Sequence, residues 1–300
     1  MRKVLRPLIA VGAVVAFAVP SLASAASTGK DASGWSIYHP LTITSGAGHI
    51  WVASSNFVTE LSATTGAVVR VINGSSYGFK DPFHMTSLGN RIWVENVDGG
   101  FNGFGSVTEL SASTGALVRV IDDPIYKFAY LAGITSSGGH IWVANGIGNS
   151  VTELSAATGA LVRRIGGSDY GRGGLWDVAS DGTHVWVLSY DCAVTELLAS
   201  NGALIRRIQI PGWFDGCDSV TIGASHMWVT SGPWGNAVAE LSLATGALVR
   251  VIEGASYEFK GTCGATLFGG DIWVVNYSDN SVTELSATTG ALVRVIRGSK

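Results

Sequence analysis

The sequence predicts an all-β repeat fold, and three repeated features carry this prediction. A short motif typified by His-Ile-Trp-Val occurs six times, with 42 to 49 residues between successive tryptophans. Each copy is followed by a Val-Thr-Glu-Leu-like segment, a glycine turn and an Ala-Leu-Val-Arg-like segment. Outside the N-terminal segment there is no sustained helical periodicity. The period is that of a four-stranded propeller blade, so the sequence predicts a six-bladed β-propeller.

Each strand of the predicted blade corresponds to one part of the repeat. Strand A is the small or apolar segment before the tryptophan, such as Leu41–Thr44. Strand B contains the tryptophan, strand C the Glu-Leu pair and strand D the arginine. A glycine between strands C and D, Gly159 in the third copy, supplies the positive φ that closes this hairpin. We expect equivalent positions, packed between blades, for Trp51, Trp93, Trp142, Trp186, Trp228 and Trp273.

The blades are complete in sequence, which predicts how the ring closes. The first begins near Pro40 and the last ends at Ile296. The first and last blades should therefore join by face packing, without a strand exchanged between the termini. In an alternative arrangement, Trp35–Tyr38 adds an outer strand to the last blade. The predicted organisation is a signal peptide over residues 1–25, a linker over 26–37 and the propeller over 38–300.

The N-terminal segment has the features of a secretory signal peptide. Basic residues at its start precede an apolar stretch from Pro7 to Val19 and the small-residue site Ala23–Ala25. A membrane-spanning helix needs about 20 apolar residues, so this stretch is too short to be one. We expect cleavage after Ala25 and a secreted or extracytoplasmic protein without a transmembrane segment. The alternative is an uncleaved N-terminal anchor.

Charge and cysteine content narrow the partner classes. Charged residues make up 14% of the chain, the formal net charge is −3 and there is no run of lysine or arginine. These features argue against nucleic acid or an anionic membrane surface as partner. Three cysteines allow one intramolecular disulfide. Cys192, in the B–C loop of blade 4, and Cys217, just before blade 5, are the predicted pair, because both face the channel mouth across one blade boundary; Cys263 should be free.

One copy of the repeat carries a family resemblance. The segments Ile141–Asn145, Asn149–Leu154 and Thr158–Val162 resemble the bacterial YVTN-type propeller repeat, with tryptophan in place of tyrosine. The repeat is also similar to NHL-repeat propellers and to the streptogramin (virginiamycin B) lyase-like superfamily. The resemblance covers about residues 38–297 and implies the propeller fold. These families include scaffolds, binding modules, sensors and a few enzymes, so it does not select an activity.

Residues present in every blade are interpreted as structural. Each strand C glutamate faces a strand D arginine across its hairpin, as Glu153 faces Arg163, which predicts six half-exposed ion pairs contributing up to about 1 kcal/mol each. The histidines that precede four of the repeat tryptophans belong to the A–B turns and are not interpreted as a metal cluster: His49, His140, His184 and His226.

Residues that depart from the repeat are the candidate functional groups. His84 and Asp81 form the only local His/Asp pair near the predicted channel mouth, and they are weak candidates for binding a divalent metal. The lyase resemblance implies a metal-holding acid and a histidine acid/base at this mouth. The sequence has no H-x-H or E-x-H pair there, so no lyase residue is transferred and no other cofactor is expected.

Aromatic residues in the mouth loops that do not recur between blades predict a ligand-binding face. Such side chains suit stacking on sugars or gripping a peptide. The leading hypothesis is a non-catalytic secreted binding propeller with a carbohydrate, peptide or protein ligand. The alternatives are a metal-assisted lyase or hydrolase and a structural cell-envelope protein; the oligomeric state is not indicated. The predicted ligand-binding residues are Phe101, Phe104, Trp213 and Trp234, expected around one concavity, with Tyr190 and Asp215 nearby.

Overall fold

The fold of the chain is a β-propeller. A computed structural model describes residues 37, 40–100, 104–166, 173–212, 214, 216–232 and 234–298. The described residues form six antiparallel sheets, each with four strands that are consecutive in the sequence. The predicted all-β, six-bladed architecture is therefore confirmed. Among these residues, no helix has the length and apolar character needed to cross a membrane.

The first three blades contain twelve strands in chain order. Blade 1 contains β1 (Pro40–Gly46), β2 (His49–Ser54), β3 (Phe57–Ser62) and β4 (Val68–Ile72). Blade 2 contains β5 (Pro82–Leu88), β6 (Arg91–Asn96), β7 (Ser106–Ser111) and β8 (Leu117–Ile121). Blade 3 contains β9 (Leu131–Ser137), β10 (His140–Asn145), β11 (Ser150–Ser155) and β12 (Leu161–Gly166).

The last three blades repeat this order. Blade 4 contains β13 (Leu175–Ser180), β14 (His184–Ser189), β15 (Ala193–Leu198) and β16 (Leu204–Gln209). Blade 5 contains β17 (Val220–Ile222), β18 (His226–Thr230), β19 (Ala237–Ser242) and β20 (Leu248–Glu253). Blade 6 contains β21 (Thr262–Phe268), β22 (Asp271–Asn276), β23 (Ser281–Ser286) and β24 (Leu292–Arg297). Strand A of blade 5 is shorter than expected and begins at Val220 instead of Asp218.

The first strand of each blade lines the centre of the molecule. Each of these A strands contacts the A strands of the two neighbouring blades, and the ring closes between β21 and β1. Blades 6 and 1 also share a hydrophobic core that includes Ile37, which is 1% exposed. Ile37 lies three residues before β1, as Phe79 and Phe128 do before the A strands of blades 2 and 3. Closure is therefore by face packing; the rest of Trp35–Tyr38 lies outside the described residues.

The aromatic residues of three D–A connections pack within those connections. Short 3-10 turns at Ser75–Tyr77, Pro124–Tyr126 and Ala255–Tyr257 each end on a tyrosine. Each tyrosine stacks on the phenylalanine two residues later, with ring centroids 5.4 to 5.5 Å apart. These recurring aromatics are therefore structural, which leaves the non-recurring ones as candidates for binding.

The repeat tryptophan lies at the same register position in every blade. In blade 3, Trp142 pairs with Thr135 on strand A and with Glu153 on strand C, and Glu153 pairs with Arg163 on strand D. The six tryptophans are 0 to 4% exposed. Their predicted equivalence, and the pairing of each strand C glutamate with its strand D arginine, are confirmed.

The burial of these glutamates corrects the expectation of half-exposed ion pairs. The six are only 1 to 6% exposed, whereas their arginines keep 20 to 32% of the side chain accessible. The reason is that each arginine also reaches the next blade: Arg163 donates to the carbonyl of Ser200 at 2.7 Å and to that of Ala199. Arg294 donates in the same way to Ala63 and Thr64, which joins blade 6 to blade 1.

The glycine of each C–D turn completes this contact between blades. Gly202 has a φ of +77°, and a Cβ atom there would lie 2.7 Å from Cγ2 of Ile165 on the preceding blade. Both the left-handed backbone and the close approach therefore require glycine. We call the glutamates, arginines and turn glycines of the six blades the rim ladder; the arginines are Arg70, Arg119, Arg163, Arg206, Arg250 and Arg294.

Candidate functional site

A cavity opens at the end of the central channel where the D–A and B–C loops meet. Its volume is about 550 Å³, and blades 1 to 4 line it. Phe83, Tyr130, Trp176 and Tyr190 supply aromatic surface. The charged residues among its described lining are Asp81 and Asp98. We call this space the mouth cavity; Leu41, Val97, Leu131, Ile147 and Leu175 complete most of its apolar wall.

One backbone position shapes the wall of this cavity in successive blades. The residue just before strand A has a positive φ in blades 2, 3 and 4: +47° at Asp81, +53° at Tyr130 and +120° at Gly174. Its carbonyl accepts a hydrogen bond from the B–C loop of the same blade, from Val97 in blade 2 and from Tyr190 in blade 4. These bonds hold the two loops together and turn the side chains of Asp81 and Tyr130 toward the mouth cavity.

Trp176 and Tyr190 connect the mouth cavity to the interior. Their rings meet edge to face, with centroids 5.7 Å apart. The Trp176 indole N–H donates to the carboxylate of Asp218 at 3.0 Å. Asp218 is 4% exposed. The Trp176 ring, which forms the floor of the mouth cavity, is therefore hydrogen-bonded to a buried acid.

Four ionisable side chains form a buried cluster below this floor. His84 lies between two acids, with Nδ1 3.8 Å from Oε1 of Glu95 and Nε2 3.8 Å from Oδ1 of Asp177. Asp177 also accepts hydrogen bonds from the backbone N–H groups of Val178 and Val220, both at 2.7 Å. We call His84, Glu95, Asp177 and Asp218 the buried cluster; all four are at most 5% exposed.

A glycine makes this cluster sterically feasible. Gly133 occupies on blade 3 the position that His84 occupies on blade 2 and Asp177 on blade 4. A Cβ atom on Gly133 would lie 2.6 Å from Oδ1 of Asp177. The absence of a side chain on blade 3 therefore lets Asp177 reach across that blade toward His84.

The electrostatic environment of the buried cluster favours the protonated form of His84. Burial acts to lower the pKa of His84, but the carboxylates of Asp177, Glu95 and Asp218 outweigh it and raise the pKa to about 9. Burial raises the pKa of Asp218 to about 6, against the opposing effect of His84 and the hydrogen bond from Trp176. Burial likewise raises the pKa of Glu95 and of Asp177. The positive charge of protonated His84 therefore interacts with all three carboxylates, and the four groups titrate together.

One member of the buried cluster, Glu95, departs from the repeat although it is not among the predicted site residues. Glu95 occupies the strand B position after Trp-Val, where the other blades have alanine, leucine, threonine or valine. A single acid in a column of such residues is a departure from the repeat, as His84 and Asp177 are on strand A. Comparing blades column by column would have selected Glu95.

The opposite end of the channel is lined mainly by hydroxyl groups. A polar cavity of about 340 Å³ there is lined by serine and threonine side chains from the A strands, and His84 and Asp177 also line it. Several of these hydroxyls join neighbouring blades: Ser45 donates to Leu267, Ser136 to Ser87 and Thr221 to Ala265. Their bonds to backbone carbonyls explain them as contacts that close the ring.

The predicted ligand-binding residues are not brought together. Tyr190 lines the mouth cavity and is 69% exposed. Phe104 lines a separate cavity beside Phe128, and Trp234, which is 93% exposed, lines a third beside Phe214. The expectation of one shared concavity is therefore corrected for Phe104 and Trp234, because their loops belong to blades 2 and 5, on opposite sides of the six-bladed ring, and Tyr190 shares a cavity with neither. Phe101, Trp213 and Asp215 lie outside the described residues.

The two weak metal candidates lie in different environments. Asp81 is exposed at the mouth cavity, whereas His84 is 5% exposed inside the channel, with Glu95 and Asp177 as its acidic neighbours. In the part of the chain that the structure describes, no group of three histidine, cysteine, aspartate or glutamate side chains is arranged to hold a metal ion.

The cysteines are arranged as the sequence suggested. Cys192 and Cys217 form a disulfide with 5.5 Å between their Cα atoms, within the range that such a bond requires. It joins the B–C loop of blade 4 to the connection before β17. Cys263 is a free, buried thiol whose pKa is raised by burial and by Asp218.

Comparison with known proteins adds no family assignment. The chain matches no protein-family model, and no curated protein is significantly similar to it. The site must therefore be interpreted from its own geometry.

Proposed function

We propose that this chain is a non-catalytic binding propeller whose ligand occupies the mouth cavity. The observation that carries the proposal is the convergence of four aromatic side chains from three blades on one cavity of about 550 Å³. A cavity of this size, with apolar walls and few polar groups, is typical of a site for a small molecule or for one side of a larger ligand. Edge-to-face packing against Trp176 holds the ring of Tyr190 in place, so that a ligand could stack on it.

The proposed ligand has an apolar or aromatic body. Asp81 and Asp98 are the charged residues of the described lining, and the rest is largely apolar, so stacking and burial of apolar surface would supply most of the affinity. A sugar that presents its apolar face, or an aromatic side chain of a peptide, meets this requirement. Phe104 and Trp234 line cavities of their own and remain proposed contacts for a larger ligand.

The proposed location is outside the cytoplasm. The N-terminal segment has signal-peptide features, and the Cys192–Cys217 disulfide is of a kind that persists in oxidising compartments. Assignment to the YVTN-type or NHL-type propellers is proposed on the Ile-Trp-Val-Ala-Asn signature of the repeat alone.

Binding of a neutral aromatic probe tests the proposed site. N-phenyl-1-naphthylamine fluoresces on entering an apolar site, and its titration should be saturable with one site per chain. Tyr190→Ala should weaken binding about tenfold, since truncating a central aromatic contact typically removes 1 to 2 kcal/mol or more. Unchanged binding by this variant would contradict the proposal.

Trp234→Ala is the matched control. It removes another exposed aromatic from a B–C loop, but one that lines a different cavity. Its probe affinity should equal that of the unmodified chain. An effect confined to Trp234→Ala would move the site to blade 5, and a probe that does not bind saturably would favour the structural alternative.

A further inference from the structure

Two residues at the mouth cavity have a backbone conformation that glycine adopts in neighbouring blades. The residue that precedes strand A is Gly174 in blade 4 and Gly261 in blade 6, each with a positive φ. In blades 2 and 3 the same position, with the same type of hydrogen bond to the B–C loop, holds Asp81 and Tyr130. Both of these residues line the mouth cavity.

This substitution carries a backbone penalty. A residue with a Cβ atom is less stable than glycine in the left-handed region, and aspartate tolerates this region better than tyrosine. Tyr130 does not recover the difference by burial, because it is 57% exposed. Strained, exposed side chains that face a cavity are typical of sites where the side chain contacts a ligand.

The chemistry of the two side chains defines the ligand group. From this geometry we infer that the ligand carries a cationic nitrogen, an ammonium or alkylated ammonium group, held between the carboxylates of Asp81 and Asp98 and the ring of Tyr130. This inference deepens the proposed function and rests on it. It assigns the cation to one edge of the mouth cavity and leaves the apolar body of the ligand against Trp176 and Tyr190.

The two carboxylates supply the charge complementarity. Asp81 and Asp98 are the charged side chains among the described residues that line the cavity. The pKa of Asp81 is raised first by partial burial and then by the neighbouring carboxylate of Asp98. A cation beside both would relieve this repulsion, whereas an anionic ligand would increase it.

The aromatic lining suits the same ligand group. Ammonium groups are attracted to the faces of tyrosine and tryptophan rings, and this attraction increases where water is displaced. Tyr130 is the aromatic residue that comes from the same backbone position as Asp81, one blade further along. Because both carboxylates and this ring line the mouth cavity, one bound cation could contact them together.

A charged probe and its neutral isostere test the inference. Choline and 3,3-dimethyl-1-butanol have the same shape and differ by the charge on one atom. Each is titrated against the complex of the chain with N-phenyl-1-naphthylamine, and displacement is measured. Choline should compete about tenfold more strongly, as expected for a cation held by carboxylates and aromatic rings. Asp81→Asn, which keeps the shape and tolerates the left-handed backbone, should abolish the preference.

A second variant separates binding from folding. Asp81→Gly removes the carboxylate and also the backbone strain, so its melting temperature should equal or exceed that of the unmodified chain while the preference for choline is lost. Tyr130→Gly should behave in the same direction. A preference for choline that survives in both Asp81 variants would overturn the inference.

The outcomes distinguish this inference from the proposed function. Saturable binding of the neutral probe with equal competition by choline and its isostere overturns the cation site and leaves the binding propeller standing. Failure of the neutral probe to bind, in the same chain, contradicts the proposed function itself. A lower melting temperature for Asp81→Gly would mean that the aspartate has a structural role, which also overturns the inference.

Discussion

The rim ladder and the mouth side of this propeller are built on different principles. At the rim, the same glutamate, arginine and turn glycine recur in all six blades, and each arginine joins its own blade to the next, as Arg163 does. At the mouth, equivalent positions diverge: the residue before strand A is Asp81, Tyr130 or glycine. The buried cluster likewise consists of residues that each occur in a single blade.

This difference indicates that the repeated rim contacts stabilise the ring, whereas the side chains that vary at the mouth are available for ligand recognition. A contact repeated six times serves the closure that every blade needs, so no single copy can be specific for a ligand. A side chain found in one blade breaks the symmetry of the ring, so the chemistry of the cavity wall differs from one side to the other. His84, Asp81 and Tyr130 are departures of this kind; Asp81 and Tyr130 line the mouth cavity, and His84 lies in the channel below it.

The largest expected effect tests the rim ladder at the point of closure. Arg294→Ala leaves the buried carboxylate of Glu284 without its partner and removes the bonds to Ala63 and Thr64. Its free energy of unfolding should fall by about 3 kcal/mol, the lower end for a broken buried pair, because Arg294 is partly exposed. Arg297→Ala, which breaks an exposed pair with Glu258, is the control and should change stability by less than about 0.5 kcal/mol. Equal effects in urea unfolding would show that the ladder does not hold the ring closed.

The second test concerns the disulfide on the mouth side. The bond spans 25 residues and holds the connection before the short strand β17. Replacing both Cys192 and Cys217 with serine should lower the free energy of unfolding by about 2 to 3 kcal/mol, within the range typical of native disulfides. A reducing agent should destabilise the unmodified chain and leave the double variant unchanged. Sensitivity of the double variant to reductant would contradict the assignment.

The third test uses pH to examine the buried cluster. The pKa of His84 is raised from 6.5 to about 9, so the native state keeps a proton that the unfolded chain releases in this window. This contribution is complete below pH 6.5 and is lost as the pH rises through 9. Stability should therefore fall between these values, by up to about 3 kcal/mol, and His84→Gln should flatten the dependence. His226→Gln, at the opposite end of the channel, should retain it; a flat profile in the unmodified chain would contradict the interpretation.

The smallest expected effect is at Trp234. Its side chain is 93% exposed in a B–C loop, so Trp234→Ala should change the free energy of unfolding by less than about 0.5 kcal/mol. Thermal denaturation would measure this. A clear destabilisation would mean that the mouth loops contribute to the core in the way that the rim does, and the contrast between the two regions would be lost.

Local patterns of the chain predicted the blade correctly, and contacts between blades were harder to anticipate. The pairing of Glu153 with Arg163 follows from their positions about one turn, because a hairpin places residues at matched offsets opposite each other. The burial of Glu153 does not follow from these positions, since it depends on the next blade, whose carbonyls bind the far end of Arg163. The expectation of a half-exposed pair was therefore wrong although the pair itself was right.

In the candidate site, too, the residues themselves could be selected from the sequence, but their contacts with other blades could not. Departure from the repeat marked Asp81 and His84 as candidates, but it suggested that the two act together, whereas Asp81 lines the mouth cavity and His84 lies in the channel. The side chains of neighbouring positions on one strand point to opposite sides, and only the packed ring determines which of them face the channel and which the mouth. Glu95 was missed because it looks ordinary within its own blade.

The sequence by itself determined the number of blades, the order of strands, the rim ladder and the residues that break the repeat. These are properties of a local unit of about 45 residues, in which hairpin register follows from sequence spacing. The tertiary structure alone decided which glutamates are buried, that Asp177 reaches His84 across Gly133, and that Tyr190, Phe104 and Trp234 line separate cavities. The physical reason is that these contacts join different blades, and their distances depend on how six twisted sheets pack around one axis and close.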